Sequence, residues 1–82
     1  MRVFKSGKFG DFAEKEKISD KSLKSVAKDI EEGRIDADLG GGVIKQRLAR
    51  PGGGKSGGYW LIICFKKAAR TFFIYGFPKS ER

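Results

Sequence analysis

Apolar positions along this 82-residue chain recur first at helical spacing and then at strand spacing. Residues 1–5 alternate weakly, with Val3 apolar beside Arg2 and Phe4, and predict a short first strand that stops at Ser6-Gly7. Over 8–17, Phe9, Phe12 and Ala13 fall on one face of a short amphipathic helix, opposite Asp11, Glu14, Lys15 and Lys17. Gly10 weakens that helix. Ser19 or Asp20 then offers an N-cap for the clearest helix in the chain. Leu23, Val26, Ala27 and Ile30 stand there at i, i+3, i+4 and i+7, and Gly33 is placed to end it. Asp20 suits the helix dipole; Glu31 and Glu32 oppose it, so they serve something other than helix stability.

After a polar stretch at 35–39 and three glycines at 40–42, the period changes to two. The segment 43–50 predicts a strand with Val43, Lys45, Arg47 and Ala49 on one face and Ile44, Gln46, Leu48 and Arg50 on the other. Lys45 and Arg47 therefore share a face about 7 Å apart, near the spacing of adjacent phosphates in a nucleic-acid strand. A glycine-rich loop at 51–58 leads into 59–67, a near-continuous apolar run of the kind found in a central strand covered on both faces. A turn at 67–70 and a last strand at 71–77 follow, before Pro78 and a basic end. The order strand, helix, helix, strand, strand, strand predicts an α+β fold, with two N-terminal helices packed on one face of a mainly antiparallel sheet of three to four strands. The other face is left for a ligand.

Charge sharpens that expectation. The net charge of +8 comes wholly from residues 43–82, where nine Lys/Arg meet the single acid Glu81, while the basic and acidic residues of 1–42 cancel. A basic surface confined to one half of a chain points to a polyanion, and nucleic acid is the first candidate. The longest uncharged apolar run, 59–65, is far short of the roughly 20 residues a membrane span needs, and no secretory leader is visible. The protein is therefore expected to act in the cytoplasm, away from membranes. Histidine is absent and cysteine occurs once, at Cys64, which excludes Ser/His and Cys/His catalysis and a structural zinc site. Proton transfer would fall to Lys, Tyr, a carboxylate or the substrate.

Two motifs invite a functional reading. Pro51-Gly52-Gly53-Gly54-Lys55-Ser56 resembles a phosphate-binding P-loop, but Ala49 stands where that pattern needs glycine, and the chain continues into a strand where the motif must open a helix. A flexible hairpin loop is the simpler account, although Lys55 on a glycine-rich loop can fold over a phosphate backbone at low steric cost. Lys45 and Arg47 alone would suit the solvated face of an edge strand. Arg50, Lys55, Lys66, Lys67, Arg70, Lys79 and Arg82, with Tyr59, Trp60 and Tyr75 among them, favour single-stranded RNA, whose phosphates pair with cations and whose bases stack on aromatic rings. Phe65, Phe72, Phe73 and Phe77 are expected in the core. Whichever of Tyr59 and Trp60 lies on the helix-free face is the candidate stacking platform.

The blocks Gly41-Gly42-Val43-Ile44-Lys45-Gln46-Arg47 and Lys55-Ser56-Gly57-Gly58-Tyr59, with Phe72-Phe73-Ile74-Tyr75-Gly76-Phe77-Pro78-Lys79 after them, give the chain a clear likeness. It resembles the RelE/ParE toxin superfamily, and most closely its RelE-like, HigB-type branch. The likeness covers nearly the whole chain. It implies a single toxin domain over 1–82, one half of a bacterial type II toxin-antitoxin pair. It also implies cleavage of mRNA on the ribosome by attack of a 2′-hydroxyl on the adjacent phosphate, with no metal or cofactor, and an acidic antitoxin that covers the basic surface. On this likeness Lys45, Arg47 and Lys79 are the expected catalytic residues; the pattern of cations and aromatic rings makes Arg50, Lys55, Tyr59, Trp60 and Arg82 the expected RNA contacts. Relatives usually carry Arg where this chain has Trp60, and they continue into a C-terminal helical segment. A catalytically impaired module that binds antitoxin or RNA, and a gyrase poison of the ParE type, are the alternatives.

Overall fold

The computed structural model describes residues 2–50, 57–66 and 70–79. Its elements run β1 (Arg2–Lys5), α1 (Gly7–Lys15), α2 (Asp20–Glu31), β2 (Ala37–Gly40), β3 (Val43–Ala49), β4 (Gly58–Lys66) and β5 (Arg70–Pro78). They form the expected α+β arrangement. The sheet order is β1-β5-β4-β3-β2, with β1 parallel to β5 and every other pair antiparallel.

Local chemistry sets the helix ends. Ser6 accepts the Phe9 N–H at 3.0 Å as N-cap of α1, while its hydroxyl donates to the Ile74 carbonyl at 2.8 Å. One serine thus caps the helix and ties its start to β5. The helix ends at Lys15, sooner than the periodicity implied, because Lys17 takes a positive φ of 58° and turns the chain so that Ile18 is buried. Ser19 is the N-cap of α2. Gly33, at φ 86°, closes that helix by donating to the Ile30 carbonyl at 3.0 Å. Glu32, unfavourable to the dipole, ion-pairs with Arg34, which also bonds Asp29 at 2.9 Å.

Both helices lie on one face of the sheet. Phe9 and Ala13 of α1 and Leu23, Val26 and Ile30 of α2 join Ile44, Tyr59, Leu61, Ile63 and Phe73 in a single buried cluster. Gln46 also points into this layer, and its amide satisfies the polar backbone of 34–36: Nε2 donates to the Arg34 carbonyl at 2.8 Å and Oε1 accepts the Asp36 N–H at 2.9 Å.

Two features of the sheet differ from expectation. The polar stretch before the glycines contains a fifth strand, β2, paired with β3. Its four residues include a bulge at Leu39, which breaks the alternation that marks a strand. Gly41 and Gly42, at φ 63° and 82°, make the tight turn into β3, a pair of positive values that two-residue hairpins need. The second feature lies in β5, where Ile63 pairs with Phe73 but Ile62 pairs with Tyr75, leaving Ile74 as an extra residue. That bulge reverses the phase of everything after it. Phe73 is fully buried against the helices, whereas Phe77 falls on the helix-free face opposite Trp60. Phe72 is also on that face, stacked on Phe4 with ring centres 4.9 Å apart. The expected core placement therefore holds for Phe73 and for the partly buried Phe65, which packs against the core, but not for Phe72 or Phe77.

The same shift carries Gly76 beneath Phe12. A Cβ at Gly76 would lie 2.5 Å from Phe12 Cε2, so only glycine fits under the ring. Gly76→Ala should destabilise the domain by about 1–3 kcal/mol, as overpacking of a filled site does. Urea denaturation measures the loss, and Phe12→Leu in the same chain should recover part of it.

Candidate nucleic-acid interface

The helix-free face of the sheet is built by register. Along one row Lys45 of β3 stands beside Ile62 of β4 and Tyr75 of β5; along the next, Arg47 stands beside Trp60 and Phe77. Strand alternation places all six on the same side, away from the helices. Lys79 reaches this surface from just beyond β5. Its N–H donates to the Gly58 carbonyl at 2.9 Å, which extends the β4–β5 ladder by one residue. A Cβ on Gly58, at φ 151°, would lie 3.0 Å from the Leu48 carbonyl and 3.7 Å from Lys79 Cε, so glycine leaves the path of the lysine stem clear.

Three cations consequently meet around one indole. Lys45 Nζ lies 4.5 Å from the centre of the Trp60 ring, Lys79 Nζ 5.4 Å and the Arg47 guanidinium carbon 5.9 Å. These are cation–π distances, each worth about 0.5–1 kcal/mol at an exposed site. Among the described residues, neither lysine has a carboxylate within ion-pair distance, whereas Arg47 is bound at 3.2 Å by Asp36. Tyr75, 45 % exposed, stands next to Phe77 with ring centres 5.9 Å apart and offers an open aromatic surface beside the cations. A group of this kind can hold a phosphate and stack an adjoining base.

The remaining candidates are dispersed. Tyr59 is 1 % exposed and lies on the helix side, edge-on to Phe12, with its hydroxyl donating to Glu16 at 2.9 Å. It belongs to the core, and an RNA contact would have to be made by its neighbour Trp60. Arg50 points to the same side as Tyr59, its guanidinium carbon 5.4 Å from that ring, so it does not join Lys45 and Arg47. Arg70 begins β5 while Lys79 follows its end, roughly 30 Å away along an extended strand. Lys55, Lys67 and Arg82, the side chain of Lys66 and most of the 51–58 loop lie outside the described residues.

The sequence reading missed two contributors to this face. Phe77 was hidden by the bulge at Ile74, which no residue pattern announces. Asp36 was visible only as one acid in a polar stretch, because its role depends on β2 pairing with β3.

The family model for the RelE toxin of the RelE/RelB toxin-antitoxin system matches residues 1–82, and the chain belongs to this toxin family. No curated protein and no solved structure matches it. Among the described residues, no helix is long and apolar enough to cross a membrane.

Burial, with the hydrogen bond to Glu16, pushes the Tyr59 phenol up from its ordinary value of 10.0. The folded chain thus keeps this proton at a pH where the unfolded chain has lost it. The resulting stability is whole below about pH 10 and is lost as pH rises through the folded value. Tyr59→Phe should cost about 1 kcal/mol at neutral pH and make alkaline unfolding less steep. Denaturation curves at neutral and alkaline pH test both effects.

Proposed function

We propose that the chain is a ribosome-dependent mRNA endoribonuclease toxin, in which Lys45, Arg47 and Lys79 hold the scissile phosphate. The observation that carries this reading is the gathering of these three cations around Trp60, with, among the described residues, a carboxylate on only one of them. In the reaction, the ribose 2′-oxygen attacks phosphorus and the bond to the 5′-oxygen breaks. The products are a 2′,3′-cyclic phosphate and a 5′-hydroxyl. The 2′-hydroxyl proton passes to a non-bridging phosphate oxygen of the substrate, a lysine ammonium protonates the leaving 5′-oxygen, and that lysine recovers its proton from the phosphate as the cyclic product forms. Negative charge builds on the phosphate oxygens between these events, and fixed cations stabilise it more than they stabilise the ground state. Trp60 holds the cation side chains in place, and Tyr75 and Phe77 offer surface for a flanking base. The toxin acts in the cytoplasm and is neutralised by an acidic antitoxin on the same face.

Trp60 itself favours a second reading. By its resemblance to the family, its ring stands where Arg is usual, and it engages Lys45, which suits a module that binds RNA or antitoxin without cutting. Induced expression in growing bacteria with mapping of mRNA 5′ ends separates the possibilities. Codon-phased cuts support the nuclease, DNA damage without cuts supports a gyrase poison, and normal growth supports the binder.

Replacing Lys45 alone by Ala should slow cleavage by about 10²-fold, the usual cost of losing one preorganised charge-stabilising group, and Lys45→Ala with Arg47→Ala should abolish growth arrest. Both side chains project from the helix-free face, so thermal melting should change little. Undiminished killing by a folded double variant would remove them from the site.

A further inference from the structure

Asp36 is placed as no other acid is among the described residues: its single carboxylate holds both the main chain and the head group of Arg47. Oδ2 accepts the Arg47 backbone N–H at 2.7 Å, while Oδ1 accepts from Nη2 at 3.2 Å and Nε at 3.4 Å. The Asp36 side chain is 25 % exposed and that of Arg47 60 %. Asp36 is itself held from the opposite side of the sheet. Gln46, 6 % exposed, accepts the Asp36 N–H and donates to the Arg34 carbonyl, just before β2 begins. Adjacent residues of β3 thus grip one short segment from both faces, Gln46 from within the core layer and Arg47 from the open side.

We propose that Asp36, seated by Gln46, is a positioning residue that fixes the direction of the Arg47 guanidinium toward the scissile phosphate. This rests on the phosphate-site reading above. A guanidinium has five N–H donors in a rigid fork. With the Nε edge committed to Asp36, the two Nη1 hydrogens and the second Nη2 hydrogen remain for a phosphate. The arrangement has opposite effects on binding and on reaction. The carboxylate places a negative charge beside the site and weakens ground-state attraction for RNA. The fixed geometry favours the transition state, where orientation counts most.

The test compares wild type with Asp36→Asn, Asp36→Glu, Arg47→Ala and the Asp36→Asn/Arg47→Ala double variant. Binding of a short single-stranded RNA is followed by fluorescence of Trp60, the sole tryptophan, over a range of salt concentrations. Cleavage of mRNA is followed on purified translating ribosomes. Asp36→Asn should bind RNA as tightly as wild type or more tightly, with a steeper salt dependence, since one more cation is free to neutralise phosphate. Its saturating cleavage rate should nevertheless fall by about 10- to 100-fold, and Asp36→Glu should restore part of it. In the Arg47→Ala background, Asp36→Asn should change the rate no further. An unchanged rate in Asp36→Asn, weaker binding that tracks a lower melting temperature, or an equal loss with and without Arg47 would each overturn the positioning role. A wild-type protein that neither binds nor cuts would instead overturn the phosphate site itself.

Discussion

Holding three cations on one small patch is the constraint around which the open face is organised. In water, two unit charges about 4 Å apart repel by about 1 kcal/mol, and by less at greater separation. A cation–π contact at an exposed site returns about 0.5–1 kcal/mol. The indole of Trp60 therefore offsets the mutual repulsion of Lys45, Arg47 and Lys79 without cancelling their charge. Among the described residues, an ion pair relieves it further at Arg47 alone, through Asp36. Such a balance keeps the side chains assembled while leaving the patch able to gain from an incoming anion. A set of carboxylates would also have assembled the cations, but would have filled the site with the wrong charge.

The patch depends on register, and register depends on the packing behind it. Arg47 faces Trp60 because β3 and β4 pair as they do, and that pairing is locked by Ile44, Leu61 and Ile63 against the two helices. A slip of one residue would bury the lysine and expose the isoleucine. The bulge at Ile74 does comparable work in β5. It turns Tyr75 and Phe77 to the open side, lets Phe12 rest on Gly76, and leaves the Ile74 carbonyl free to accept from Ser6. The N-cap of α1 and the aromatic strip beside the cations are thus consequences of the same extra residue.

The parts of the molecule legible in sequence were those governed by an unbroken period. The second helix, the faces of β3, and the lysine–arginine pair on its outer side could all be read from spacing. Phe72, Phe77 and β2 could not. Phe72 was assigned inward on hydrophobicity although strand alternation with Phe73 opposes it, and bulges at Leu39 and Ile74 break the period that the other two would have needed. Tyr59 and Trp60 were indistinguishable until the sheet fixed which side each faced. Asp36 lies eleven residues from Arg47 in sequence, and only the β2–β3 hairpin makes them neighbours.

The unequal charge of the two halves has a structural counterpart. Asp20 pairs with Lys5, Asp29 and Glu32 pair with Arg34, and Glu16 accepts from Tyr59, so these acids are engaged on the helix side of the domain. Among the ion pairs formed by described residues, Asp36–Arg47 alone joins an acid of the first half to a cation of the second. On the open sheet, Lys45, Arg47 and Lys79 of the second half present a local positive field that can steer a polyanion. Any ligand that fits this face must bring negative charge for the cations and flat or apolar surface for Tyr75 and Phe77. A ribose-phosphate chain with its bases meets both demands, and so does an acidic amphipathic peptide. Two such ligands would compete for the same few side chains.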